Sequence, residues 1–289
     1  MAAARGTEGL QPQDLVLTMF GAHVRRPGET VWSGGMVEIL ERLDFTPGAA
    51  RAALARLVNR DLLERTRDGR LVHYSLTARA AALLADGDRR IFSFGRTRPA
   101  DAWTVLWHAI PEAQRVARSR FATRLRFLGF GAVQDATWVA ARDREQEVRQ
   151  LLRELEIEPY ASILVGRLSR GLLPIALVAQ AWRLDLTVGR YEAFLAEFES
   201  LRCLEVRAGL SPVDAFKRRT LMLHRFRSFP SIDPELPESV DSVGALRARA
   251  VACFDEVYGE LEEFATAYFR AVAQPACKPI ARVGAMDDI

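Results

Sequence analysis

Apolar residues recur along this chain at two different spacings, and the changes between them mark its elements. Leu15, Val16, Met19 and Phe20 fall at i, i+1, i+4 and i+5, one face of a helix expected over residues 12–24. Pro27-Gly28-Glu29 reads as a turn and Val31-Trp32 as a one-rung strand. Ser33 is the expected cap of a second helix running to about Leu43, with Met36, Val37, Ile39 and Leu40 as its apolar face. Thr46 at the N-cap and Pro47 at the first helical position open a third helix. On its helical wheel Ala50, Ala53, Leu54, Leu57 and Val58 gather on one side. Gly48, Ala52, Arg56 and Asn59 lie opposite, with Arg51 on the flank. Leu62-Leu63 then opens a strand, Asp68-Gly69 is the dipeptide of a two-residue type I′ turn, and Leu71 to Leu76 returns. Thr77 caps a further helix to about Phe92.

The middle of the chain alternates differently. Trp103 to Ile110 reads as a buried strand, Glu112 to Leu128 as a helix, and Gly129-Phe130-Gly131 as a turn. Short strands near Ala132–Val133 and Thr137–Ala140, a helix from Asp143 to Leu155 and a strand from Ser162 to Leu168 complete the order βαββαβ, the ferredoxin-like arrangement. From Pro174 onward only helical spacing remains, near 174–183, 188–203, 212–228 and 243–273, with Asp233-Pro234-Glu235-Leu236-Pro237 as a rigid turn between the last two. The expected domains are residues 1–95, 96–171 and 172–274, with a loose lead over 1–11, a linker at 96–101 and a tail over 275–289.

Charge changes the picture where it is uneven. Residues 1–95 hold 13 basic and 11 acidic side chains, residues 96–170 hold 13 and 9, and residues 171–289 hold 14 and 17, so the basic side of the chain is its N-terminal half. Only Lys217 and Lys278 are lysines, so arginine at any single position carries little information. Residues 46–79 nonetheless hold seven arginines (Arg51, Arg56, Arg60, Arg65, Arg67, Arg70 and Arg79) against Asp61, Glu64 and Asp68. A capped helix followed by a basic hairpin is how a winged helix-turn-helix meets DNA. Cys203, Cys253 and Cys277 are far apart and form no zinc pattern or disulfide framework. No apolar run reaches the roughly 18 residues of a membrane span, and no secretory leader is visible, so a cytoplasmic protein is expected. No G-x-S-x-G, phosphate-binding loop or dinucleotide fingerprint is present, and His23, His73, His108 and His224 are scattered, so the sequence does not read as an enzyme.

Six segments resemble one family, the PaaX-like transcriptional regulators of phenylacetic acid catabolism. They are L-V-L-T-M-F-G-A-H-V-R (15–25), R-A-A-L-A-R-L-V-N-R-D-L-L (51–63), H-Y-S-L-T (73–77), W-T-V-L-W-H-A-I-P-E (103–112), L-G-F-G (128–131) and H-R-F-R-S-F-P-S-I-D-P-E-L-P (224–237). The resemblance spans residues 12–272 in one order. It implies an α+β multidomain protein: an N-terminal winged helix-turn-helix, a middle domain like the Cas2 fold and a helical C-terminal domain. It also implies a homodimeric repressor on double-stranded operator DNA, relieved by an aryl-acyl-coenzyme A such as phenylacetyl-CoA; apart from it, the residues lead us to expect no cofactor and no metal. Two other readings stand beside it: a ligand-independent architectural DNA-binding protein, and a metal-dependent nuclease of the Cas2 kind. Such nucleases use an aspartate at the end of the first strand; here the matching position in Trp107-His108-Ala109-Ile110-Pro111 is Ala109, which cannot bind a metal ion.

The site expectations follow. Arg56 and Asn59 are the candidates for reading bases in the major groove, beside Gly48 and Ala52, whose small side chains permit close approach. Thr46, Arg51 and Arg60 suit phosphate contacts, and Arg65, Arg67 and Arg70 a phosphate or minor-groove clamp. For the effector, Trp138, Trp182, Tyr191 and Phe194, with Phe226 and Phe229, are candidates for an aryl slot. Arg225 and Arg227, with the Lys217-Arg218-Arg219 run, are candidates for its phosphates.

Overall fold

The computed structural model describes residues 10–24, 28–96, 102–167, 181–238 and 241–274. Most of the expected lead, the linker beyond Arg96, most of the expected helix at 174–183 and the tail from 275 lie outside the described residues. In chain order the elements are α1 (Pro12–His23), β1 (Val31–Trp32), α2 (Ser33–Arg42), α3 (Pro47–Asn59), β2 (Leu63–Asp68), β3 (Leu71–Leu76), α4 (Ala78–Ser93) and β4 (Trp103–His108). Then follow α5 (Arg115–Phe127), β5 (Gly131–Gln134), β6 (Thr137–Ala140), α6 (Glu145–Glu154), β7 (Ala161–Gly166), α7 (Leu184–Phe198) and α8 (Leu204–Ala208). The last are α9 (Pro212–Phe226), α10 (Phe229–Ile232), α11 (Gly244–Glu260) and α12 (Glu262–Ala273). Contacts group the described residues into two compact units, one drawn from residues 10–84, 211–220 and 262–274 and the other from residues 85–210 and 221–261. The divisions fall inside α4, between α8 and α9, inside α9 and between α11 and α12.

In the first unit the helix faces expected from spacing are the buried ones. Leu15, Val16, Met19 and Phe20 of α1, Met36, Ile39 and Leu40 of α2, and Ala50, Ala53, Leu54 and Leu57 of α3 have no exposed surface. The sheet order is β1-β3-β2, antiparallel, with Val31 opposite Tyr74 and Trp32 opposite His73. Trp32, not Ser33, is the N-cap of α2 and makes no side-chain cap bond, because strand pairing continues up to the residue where the helix begins. The ring of His23 stacks on Phe269 of α12 at 4.7 Å, and its Nδ1 lies 3.2 Å from Thr266 Oγ1. Helix α12 also presses its backbone against α2 at Gly35, where an added Cβ would lie 2.0 Å from the Val272 carbonyl oxygen. Gly35→Ala must therefore push the two helices apart. Urea denaturation should show a loss of about 1–3 kcal/mol for this overpacking; wild-type stability would mean that the contact is not tight.

In the second unit the strand order is β5-β6-β4-β7, every pair antiparallel. Leu106, Trp138 and Ala140 of the sheet form one buried cluster with Phe121 and Leu125 of α5 and Val148, Leu151 and Leu152 of α6. Around α7, α9, α10 and α11 an aromatic cluster forms a second core. Phe226 stacks on Phe254 at 3.9 Å, Tyr191 stacks on Phe229 at 4.3 Å, and Phe194 touches Phe198, Phe226 and Phe229. The expected single helix over 243–273 is two helices. Leu261 closes α11 by donating to the Val257 carbonyl at 3.1 Å, and Glu262 and Glu263 supply the negative charge that favours a new helix start. No helix among the described residues is long and apolar enough to cross a membrane.

Candidate functional site

The surface of the first unit that carries the candidate DNA residues starts at the Thr46 cap. Thr46 Oγ1 accepts from the Ala49 amide at 3.2 Å, and Pro47 occupies the first helical position, where its missing N–H is no loss. Burial of Ala50, Ala53, Leu54 and Leu57 against α1 and α2 turns Gly48, Arg51, Ala52, Arg56, Asn59 and Arg60 outward, and all six are exposed. Arg56 is steadied by a bond from its Nη2 to Gln13 Oε1 at 3.1 Å. At the C-terminal end of α3, Arg79 donates to the Arg60 carbonyl at 3.0 Å and lies 4.0 Å from the Asp61 carboxylate. One of the three acids near these arginines therefore has a basic neighbour of its own.

The hairpin sorts its own charge. With Arg65 opposite Tyr74 and Arg67 opposite Val72, both arginines share the face that carries buried Leu63 and Val31. Glu64, Thr66 and Asp68 point to the other face. The hairpin thus has a basic side and an acidic side, which net charge conceals. The turn differs from the expected Asp68-Gly69 type I′. Asp68 pairs with Leu71, so the loop is Gly69-Arg70, with positive φ (56°) at Gly69 and not at Arg70. Glycine at the first central position is the type II′ pattern, and it places Arg70 at the tip. Arg51, Arg65, Arg67 and Arg70 are exposed and form no ion pair among the described residues.

The effector candidates are dispersed within the second unit. Tyr191 and Phe194 are buried in the aromatic core together with Phe226 and Phe229. Trp138 is buried in the sheet cluster, with the Arg126 guanidinium 5.2 Å from its ring centre. Arg225 lies 3.6 Å from Glu197. Arg225 and Arg227 follow closely on His224, whose pKa is pushed down to about 4 by burial and then by the charges of Arg227 and Arg225. Only Trp182 of the six named candidates lines an open cleft of about 430 Å³, together with Arg126, Arg183, Arg190, Phe130, Leu186 and Ile232. Of the basic run, Arg219 is buried in the first unit, 3.7 Å from Glu262.

A buried ionic network joins residues 233–247. Asp233 accepts from Tyr191 Oη at 2.6 Å, from Arg247 Nε and Nη2 at 2.8 Å each, and from the Glu235 amide at 2.7 Å. Asp241 accepts from Arg247 Nη1 at 2.7 Å. Burial pulls the Arg247 pKa down, but bonds and charge from Asp233 and Asp241 outweigh it and hold the guanidinium above its ordinary value. Burial, then the charge and hydrogen bond of Asp233, push the Tyr191 hydroxyl up. Glu235, with φ 50°, accepts from the Gly95 amide at 2.9 Å and from Arg142 Nη2 at 2.6 Å. The Asp-Pro-Glu-Leu-Pro motif is legible as a turn; its partner Arg247, fourteen residues on, has no local signature.

Ala109, where the nuclease reading needs a carboxylate, follows β4 and donates its amide to the Tyr160 carbonyl at 2.7 Å. Among the described residues no group of three or more His, Cys, Asp or Glu side chains is placed to hold a metal ion.

Comparison with known proteins gives a consistent picture. Residues 11–80 match the family described as PaaX-like protein, residues 96–177 the PaaX protein central Cas2-like domain, and residues 182–271 the PaaX-like protein C-terminal domain. The chain is 26% identical over 231 residues to the transcriptional repressor PaaX of Escherichia coli (strain K12), covering 78% of this chain and 72% of the repressor. An uncharacterized protein from Mycobacterium tuberculosis shares the fold, with a TM-score of 0.54 at 20% identity over 91% of this chain and 98% of that one. Matched in order by the N-terminal, central and C-terminal parts of one family, this chain belongs to the PaaX-like proteins.

Proposed function

We propose that the protein is a homodimeric, DNA-binding transcriptional repressor of an aromatic-acid catabolic operon of the phenylacetate type, relieved by an aryl-acyl-coenzyme A. The observation that carries the reading is the outward face of α3. Gly48, Ala52, Arg56 and Asn59 are presented together and followed at once by a hairpin with Arg65 and Arg67 on one side. Similarity to a protein named as a transcriptional repressor supports the same direction. In this reading α1 to α3 with the β2–β3 hairpin form a winged helix-turn-helix, and β4 to β7 with α5 and α6 form a ferredoxin-like domain, whose strand order 2-3-1-4 fits that arrangement.

Helix α3 enters the major groove with Arg56 and Asn59 at base edges, while Thr46, Arg51 and Arg60 meet phosphates and Arg65, Arg67 and Arg70 clamp the backbone beside it. Two copies read the half-sites of an imperfect palindrome, as twofold symmetry requires. The effector must bind the DNA-incompetent state more tightly, since equal affinity for both states shifts nothing.

The test is binding to operator and random duplexes at one salt concentration. Arg56→Ala should lose about 1–3 kcal/mol on the operator and far less on random DNA. Arg67→Ala should weaken both alike. Equal losses on the two duplexes for Arg56→Ala would remove Arg56 from base reading, and no binding by wild-type protein to the promoter of its own operon would remove the repressor reading.

A further inference from the structure

We infer that the cleft at the start of α7 holds the phosphate-bearing nucleotide head of the acyl-coenzyme A effector; the inference rests on the effector reading above and gives it a place. An acyl-coenzyme A carries all its charge on three phosphate groups around one adenosine, while its arm and aryl group are neutral. A site for the head therefore needs several cations and one flat apolar surface, and the cleft offers both.

Arg183, Leu186, Thr187 and Arg190 line it at i, i+3, i+4 and i+7, so one face of the first two turns of α7 forms a wall. Arg126 of α5 faces the same opening. All three arginines are exposed, and none forms an ion pair among the described residues, in a chain where most other arginines of this unit have a carboxylate beside them. Three guanidiniums without a carboxylate partner on one opening favour an occupant with several negative charges. Asp185, on the first turn of α7, does not line the cleft. Arg183 is the N-cap of α7 and holds a left-handed backbone, φ 49°, with no side-chain cap. Such strain in a non-glycine residue persists where surroundings enforce it and is concentrated at binding sites.

Trp182 supplies the flat surface and is fixed in advance. Its Nε1 donates to the Gly129 carbonyl at 3.0 Å, and it meets Trp103 edge-on at 6.3 Å. Gly131 makes room for it, since a Cβ there would lie 2.7 Å from the indole. Phe130, Ile232 and half-exposed Leu186 extend the apolar wall. The volume, about 430 Å³, lies within the range of small-ligand clefts. The head is common to every acyl-coenzyme A, so discrimination among acyl groups happens outside this cleft, and coenzyme A itself should bind.

The experiment is calorimetric titration of the full-length protein with coenzyme A, adenosine 3′,5′-bisphosphate, phenylacetyl-CoA and phenylacetate, for wild type and for Arg183→Gln/Arg190→Gln. The first three compounds should bind wild type and free phenylacetate should not bind this site. The double variant should lose at least about a hundred-fold in affinity for each of the three, as expected for two charge-assisted contacts. Its operator affinity without thioester and its melting temperature should be unchanged, because both side chains are exposed. Wild-type affinity for the thioester in the double variant places the head elsewhere and overturns the inference while the effector reading survives. No binding of any coenzyme A compound to wild type overturns both. Weakened operator binding by the double variant without thioester makes the cleft a DNA contact instead and also overturns the inference.

Discussion

Asp233→Ala should cost roughly 3–5 kcal/mol of unfolding free energy, the range for removing one partner of a buried ion pair. The Asp233 carboxylate has no exposed side-chain surface and accepts from Tyr191, from two nitrogens of Arg247 and from the Glu235 amide. Its loss leaves the Arg247 charge to Asp241 alone and strands the Tyr191 hydroxyl in the aromatic core. Asp233→Asn keeps the shape and one acceptor and should lose less. Asp233→Ala/Asp241→Asn/Arg247→Met removes the charge together with both of its carboxylate partners and should recover part of the loss. Urea unfolding of the three variants decides it: a stability within 1 kcal/mol of wild type for Asp233→Ala would show that the network fixes conformation without stabilising it. The same change should loosen the cleft, because Thr187 Oγ1 donates to the Ile232 carbonyl, the residue before Asp233, at 3.3 Å.

That network shows where sequence reasoning reaches and where it stops. Periodicity is a local property, so the inward faces of α1, α2 and α3, the Thr46-Pro47 start and the order of β4 to β7 were all legible. The hairpin was legible as a hairpin, but its turn depends on which residues pair across it. The Asp68–Leu71 register moved the loop one residue on from the Asp-Gly dipeptide. The break at Leu261 was hidden because apolar spacing runs through it from Val257 to Phe269. Aromatic residues were the least legible. Tyr191, Phe194, Phe226 and Phe229 are as suited to a ligand slot as to a core, and only packing shows that they fill each other's space. Unpaired arginines pose the opposite problem. Arg126, Arg183 and Arg190 stand among 40 basic residues, and nothing in the sequence separates them from arginines with a carboxylate partner.

Replacing Arg51, Arg65, Arg67 and Arg70 together by Gln should flatten the salt dependence of DNA binding and leave sequence preference in place. On the proposed reading each of the four neutralises a phosphate, and each such contact adds about 0.9 to the slope of log affinity against log salt concentration. Two protomers contribute eight such contacts, so removing them should lower the slope by about 7.2, which corresponds to a loss on the order of ten million-fold at 0.1 M salt and to convergence with wild type as salt approaches about 1 M. The four side chains are exposed and form no ion pair among the described residues, so the fold should not suffer. Arg56→Ala provides the contrast. A base contact releases few counterions, so its curve should run parallel to wild type, displaced downward on the operator alone. The charge sorting on the hairpin sharpens the comparison. Glu64→Gln and Asp68→Asn lie on the face opposite Arg65 and Arg67, so removing these acids should raise affinity only through the long-range field, which at 0.1 M salt is largely screened beyond ~10 Å. If those two substitutions steepen the slope as much as the arginine changes flatten it, the acidic face lies against the DNA and the orientation of the hairpin proposed above is reversed.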